Sequence, residues 1–131
     1  MAKHEFGIMQ EHPQKWQRYD EYDPQSYNCI SVNDDYLEDI VVKFNGFDLY
    51  WHTLDVPAKG IAYAGITLIP PTSIPALITV IENIYSLSEL KVFFQNAYHV
   101  NKWVIHFGFN ITMQLWRKSK WRLNCIRWKK R

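Results

Sequence analysis

The chain has 131 residues, of which 16% are aromatic and 21% charged, with two cysteines and a formal net charge of +2. This length suits one domain with a core of its own; the wealth of Trp, Tyr and Phe excludes a disordered body, and Cys29 and Cys125 alone are too few for a disulfide framework. The small total charge hides two opposed parts: through Asn110 there are seven basic and thirteen acidic residues, net −6, whereas residues 111–131 hold eight basic residues and no acid, a block pattern that often marks an interaction tail.

In chain order, residues 4–9 (HEFGIM) read as a short strand in front of the main pattern. Residues 10–26, polar and aromatic with Pro13 and Pro24, read as a long surface loop. Residues 27–32 (YNCISV) are β-rich and partly alternating, the mark of a strand. Asn33 or Asp34 can then cap a helix by accepting from free backbone N–H groups. Leu37, Ile40, Val41 and Phe44 give that helix one buried stripe, and Gly46 stops it in a left-handed conformation. Residues 47–54 (FDLYWHTL) and 61–69 make two strands joined by the turn DVPAKG, and Pro70-Pro71 end the second.

Thr72 or Ser73 starts a further helix, with Pro75 tolerated in its first turn and Leu77, Ile78, Ile81 and Ile84 on its apolar face. A third helix follows from Ser86 or Ser88, burying Leu90, Phe93, Phe94 and Ala97. Residues 103–109 close the pattern as a strand. The order β-α-β-β-α(α)-β predicts an α+β domain over residues 1–110. Its ferredoxin-like antiparallel sheet carries the helices on one face, behind an extra N-terminal strand. Residues 111–131 form a basic, Trp-rich extension.

Strand parity predicts the content of the face away from the helices. With Ile30, Val32, Ile66, Leu68, Ile105 and Phe107 turned inward, the open face gathers Tyr27, Cys29, Tyr50, His52, Tyr63 and His106, together with Ser31 and Thr67. Cys29 beside His52 or His106 is the minimum for an activated thiol, but no local motif surrounds it, and a free cysteine is most often a small buried hydrophobe. Cys29, His4, His52 and His106 lack short metal-ligand spacing. The acids Asp34, Asp35, Glu38 and Asp39 have a helix N-terminus to serve and do not follow the EF-hand pattern. No glycine-rich phosphate loop precedes a helix. No metal and no cofactor is therefore expected.

The tail interleaves Trp116, Trp121 and Trp128 with Arg117, Lys118, Lys120, Arg122 and Arg127. Indoles that stack on bases and cations that hold phosphates are the ingredients of single-stranded nucleic-acid binding, although no recognised module accompanies them. The longest apolar-rich stretch, GIAYAGITLIPP, is far shorter than the ~20 residues that cross a bilayer, and MAKHEFGIMQEHPQ lacks the apolar centre of a secretion signal. A cytoplasmic protein with no membrane span is expected.

The stretches YNCISVNDDYLED, GIAYAGITLIPP and WVIHFG, with HEFGIM and YWHTLD, resemble a family of small uncharacterised bacterial cytoplasmic α+β proteins. The resemblance covers most of residues 4–109 and none of the tail, and it implies no activity and no catalytic residues. In size and acidity the body is also similar to immunity proteins of bacterial toxin systems. The leading expectation is a module that binds another protein, an immunity-like inhibitor of a basic partner steered by Asp20, Glu21, Asp23, Asp34 and Asp35. Nucleic-acid binding through the tail and a small enzyme with an open-face Cys/His site are the alternatives.

Overall fold

A computed structural model of the chain describes residues 3–108. Six strands, β1 (Lys3–Ile8), β2 (Ile30–Asn33), β3 (Asp48–Trp51), β4 (Pro57–Lys59), β5 (Ile66–Ile69) and β6 (Val104–Phe107), make one sheet in the order β2-β1-β6-β5-β3-β4. Every neighbouring pair is antiparallel. Three helices, α1 (Asp34–Leu37), α2 (Ile74–Ile81) and α3 (Ser88–His99), accompany the sheet. The class is α+β, as the sequence pattern predicts.

The topology differs from the ferredoxin-like expectation. A split βαβ unit needs the strands on either side of a helical crossover to run parallel with one strand between them. Here α2 and α3 connect β5 to β6, which are antiparallel neighbours. The N-terminal strand is no addition: β1 lies inside the sheet, paired with β2 on one side and β6 on the other. The segment read as the hairpin turn supplies β4, an edge strand paired with β3 from Asp48 opposite Lys59 to Tyr50 opposite Pro57. Proline is tolerated on such an edge because its missing N–H need not serve the ladder.

The helix expected from Asn33 to Phe44 is shorter than its stripe. Asn33 does cap it, accepting from the Asp35 N–H at 2.8 Å. After Leu37, however, the chain leaves the helix and resumes as a 3-10 turn over Val41–Phe44. The β-branched run Ile40-Val41-Val42 is poor in helix propensity, and the break still buries Leu37, Ile40 and Phe44. Gly46 is not left-handed; among the described glycines Gly60 is, at φ +81°.

Two apolar clusters lie on opposite faces of the sheet. On one face Phe6, Val32, Leu49, Ile69 and Val104 pack under Leu37, Leu77, Ile81, Leu90, Phe94 and Ala97 from the helices. On the other, Met9, Ile66, Leu68, Ile105 and Phe107 are covered by Tyr19, Tyr22, Tyr27 and Cys29 from the long N-terminal loop. The face expected to be open is thus a second core, and β5 and β6 are reversed relative to the prediction. Ile66, Leu68, Ile105 and Phe107 face the loop, while Thr67 and His106 are buried on the helix side. Both strands are buried along their whole length, and a strand apolar on both faces carries no parity signal. Gly7 lets the loop sit down on β1, since a Cβ there would lie 2.5 Å from Tyr27 Cβ and 2.7 Å from Cys29 Sγ.

Candidate functional site

The six residues expected on one face fall into two groups. Tyr27, Cys29 and Tyr50 belong to the loop-covered side. His52, in a left-handed conformation at φ 67° just past the end of β3, ties that loop down. Its Nδ1 lies 3.1 Å from the Tyr19 carbonyl and 2.9 Å from Asp20 Oδ1, and its backbone carbonyl accepts from the Tyr19 N–H at 2.7 Å. Burial would raise the Asp20 carboxyl, but Arg18 and His52 together hold it below its ordinary value.

Cys29 lines a cleft of about 570 Å³ with Lys3, Glu5, Tyr22 and Asn28. Burial first, then the charges of Glu5 and Asp23, push its thiol up to about 12. A thiolate is the reactive form, so this environment quiets the sulfur. Alkylation of Cys29 at pH 8, followed by mass spectrometry of its peptide, is expected to run roughly a hundredfold slower in the native protein than in the urea-unfolded chain. Equal rates would show that the thiol is not held in this state.

His106 and Tyr63 belong to a different constellation, a buried polar chain under α1 that also takes in His4, Asp34 and Thr67. The Ala62 N–H donates to Thr67 Oγ1 at 2.8 Å. Thr67 Oγ1 lies 3.3 Å from His106 Nδ1, and His106 Nε2 lies 2.9 Å from His4 Nδ1. His4 Nε2 meets Asp34 Oδ1 at 2.8 Å, and the Tyr63 hydroxyl donates to the same oxygen at 2.6 Å.

One proton arrangement satisfies every link. Asp34 accepts from the Nε2–H of His4; His4 Nδ1 accepts from the Nε2–H of His106; His106 Nδ1 accepts from the Thr67 hydroxyl. Both imidazoles are neutral in this arrangement. The surroundings agree: burial lowers His4 despite the opposing pull of Asp34, and full burial followed by the neighbouring His4 lowers His106 well below its ordinary value. Burial and Asp34 raise the Tyr63 phenol, which therefore stays a donor. With His4 and His106 fully buried, this chain is a structural pin from the sheet interior to the first turn of α1.

What α1 presents outward is acidic and aromatic. Asp35, Glu38 and Asp39 are exposed, and Tyr36 keeps half of its surface in solvent. The carboxylate oxygens of Asp34, Asp35 and Glu38 lie within 4.8 Å of one another, although Asp34 already spends Oδ1 on His4 and Tyr63. Beside α1, a small groove of about 90 Å³ is lined by Ser31, Val32 and Asn33 of β2 with Tyr36, Leu87 and Glu89. β2 is an edge of the sheet, and an edge strand turns one row of backbone N–H and C=O groups away from its partner.

A wider cleft of about 890 Å³ has Tyr50 and Trp103 among its lining, with ring centroids 5.8 Å apart. Several of its polar groups serve neighbouring backbone: Lys102 Nζ donates to the Gln10 carbonyl at 2.8 Å, and Ser73 Oγ to the Asp48 carbonyl at 2.9 Å. The tail candidates Trp116, Arg117, Lys118, Lys120, Trp121, Arg122, Arg127 and Trp128 lie outside the described residues. Among the described residues no helix is long and apolar enough to cross a membrane.

Sequence reasoning missed the partnership of His4 and His106. Both sit on strands at alternating positions with apolar neighbours, and the signal that could have found them is a polar residue in the middle of an otherwise apolar strand face. Comparison of the chain with protein-family models, with curated proteins and with solved structures found no match.

Proposed function

We propose that this chain is a protein-binding module that takes a basic partner on the acidic rim formed by β2, α1 and the start of α3. The carrying observation is the groove at edge strand β2, flanked by Tyr36 and Glu89 and adjoined by exposed Asp35, Glu38 and Asp39. An edge strand offers backbone hydrogen bonds to an extended segment. The carboxylates give attraction and orientation, and a half-exposed tyrosine gives contact area at low entropy cost. The buried chain from Thr67 to Asp34 supports the reading by fixing α1 against the sheet. An immunity-like inhibitor of a basic protein fits this design, as does membership of the small bacterial cytoplasmic family that residues 4–109 resemble.

A titration of the isotope-labelled protein with oligolysine at low salt tests the proposal. Amide shifts are expected to move in β2, α1 and around Glu89, with affinity lowered at least tenfold by the combined Asp35→Asn, Glu38→Gln and Glu89→Gln substitutions. Shift changes elsewhere on the surface, or none, would reject this rim as the binding site.

A further inference from the structure

We propose that the cleft beside Trp103 is a second binding site, and that it takes an uncharged, proline-rich segment of another protein in the polyproline II conformation. This site is separate from the acidic rim. At the rim, Asn33 of β2 pairs with Lys3 at the start of β1. The cleft is lined by Met9, just past the end of β1, and by Trp103, just before β6. The two sites lie toward opposite ends of β1, and neither depends on the other.

Size and surface are the first ground. At about 890 Å³ the cleft is as large as ligand sites commonly are, roughly 300–1,000 Å³. Its wall is aromatic and already assembled. The Tyr50 and Trp103 ring centroids stand 5.8 Å apart, and His12 packs against the same indole at 5.2 Å. His12 is itself held, with Nδ1 2.7 Å from the Pro13 carbonyl. Tyr50 and Trp103 are half-buried, so they have little side-chain freedom left to lose on binding. Met9, Pro70 and Pro71 extend the apolar surface.

Electrostatic and hydrogen-bond complementarity is the second ground, and it selects the ligand. The charged groups of the cleft are engaged: Lys102 Nζ donates to the Gln10 carbonyl at 2.8 Å, and the Asp48 carboxylate pairs with Lys59. By contrast, neither the Tyr50 hydroxyl nor the Trp103 indole N–H has a hydrogen-bond partner among the described residues. Rings of these types ordinarily find one when buried. Both are neutral donors, which suit a neutral ligand rich in acceptors. A polyproline II helix makes no internal hydrogen bonds, so its carbonyls are free to accept. Proline has no N–H that would itself need a partner in the cleft. The stiff, apolar chain docks in an aromatic-lined groove at low entropic cost. Ring geometry also favours it over a flat ligand. Tyr50 and Trp103 are tilted by 40°, so one planar ring cannot lie against both. Successive prolines, at three residues per turn, point in different directions and can give each aromatic ring its own partner.

Titration of the isotope-labelled full chain with decaproline provides the test. The Trp103 indole N–H resonance and the amides around it are expected to shift, while those of β2 stay in place. A tenfold rise in salt should change the affinity less than about twofold, because no ion pair is made. Tyr50→Phe and Trp103→Phe each remove one donor and keep a ring. Each should weaken binding about three- to tenfold, and Tyr50→Phe should leave the urea midpoint where it is. No shift at Trp103 with millimolar decaproline would overturn the proposal. So would equal binding of a glycine–serine decapeptide, or an affinity unchanged in both variants. If adenosine moves the Trp103 resonance and decaproline does not, the cleft takes a flat small molecule and the proposal fails. Oligolysine binding at the rim should be the same in both variants, so the failure of one site leaves the other standing.

Discussion

Acidification from pH 6.5 to pH 5 is expected to remove about 2 kcal/mol of folding stability, chiefly through the fully buried His106, with His4 adding in the same direction. Both imidazoles are held neutral inside the protein, and both titrate below their ordinary value of 6.5 because burial disfavours the charged form. In the unfolded chain they take up protons near that ordinary value. Below it the unfolded state therefore binds protons that the folded state refuses. The stability is complete above pH 6.5 and is lost as pH falls from there toward the folded-state values. Each such group contributes at most ~1.4 kcal/mol per pH unit in this window. Against a typical total of about 5–15 kcal/mol, such a loss is a substantial fraction.

Urea midpoints at pH 7 and pH 5 measure the effect. A His106→Gln variant supplies the control: its amide can accept from Thr67 and donate to His4, yet it does not titrate. Its loss of stability over the same interval should be less than half that of the unsubstituted protein. Equal losses would show that the buried pair does not govern the acid response.

Asp34→Ala is expected to cost on the order of 3 kcal/mol, whereas Asp34→Asn should cost about half as much or less. Asp34 Oδ1 is the acceptor at the end of the buried chain for both His4 and Tyr63. Removing it leaves an imidazole N–H and a phenol without their acceptor in a site where Asp34 is only 8% exposed. Asparagine keeps an oxygen in place and loses the charge. Denaturant unfolding of both variants at pH 7.5 compares them. The alanine variant should also broaden amide resonances over α1, because the helix has only four residues and depends on this pin. An alanine variant as stable as the asparagine one would mean that the chain of bonds contributes little.

Much of the local structure was legible in the residues because its causes are local. Asn33 caps α1 through its own side chain, Pro70-Pro71 ends β5, and α3 buries Leu90, Phe94 and Ala97 at helical spacing. The predicted pairing of inward and outward positions around β2 matches the structure, with Val32 under the helices and Cys29 on the other side. That strand is apolar on one face more than the other, so its parity carries information.

The candidate site was legible only in fragments. Strand parity in the sequence places His106 and Tyr63 in a solvent-facing group with Cys29 and His52, and the structure separates them from both. His4 and Asp34, which complete their hydrogen bonds, read in the sequence as part of a strand in front of the fold and of a helix N-terminus. Nothing in a sequence of 131 residues marks positions 4, 34, 63, 67 and 106 as neighbours, since hydrogen bonds across such separations follow from strand order alone.

By itself, then, the sequence determined the α+β class, the positions of most elements, the capped start of α1 and the charge contrast between the body and residues 111–131. These follow from backbone preferences, side-chain periodicity and counting. The tertiary structure decided the rest. It set β1 in the middle of the sheet, laid the tyrosine-rich loop over what had looked like an open face, and joined two histidines into one buried chain. The physical reason is the same in each case: β5 and β6 are buried on both sides, so both sides had to be covered, and which segment covers each is a matter of packing between distant parts of the chain.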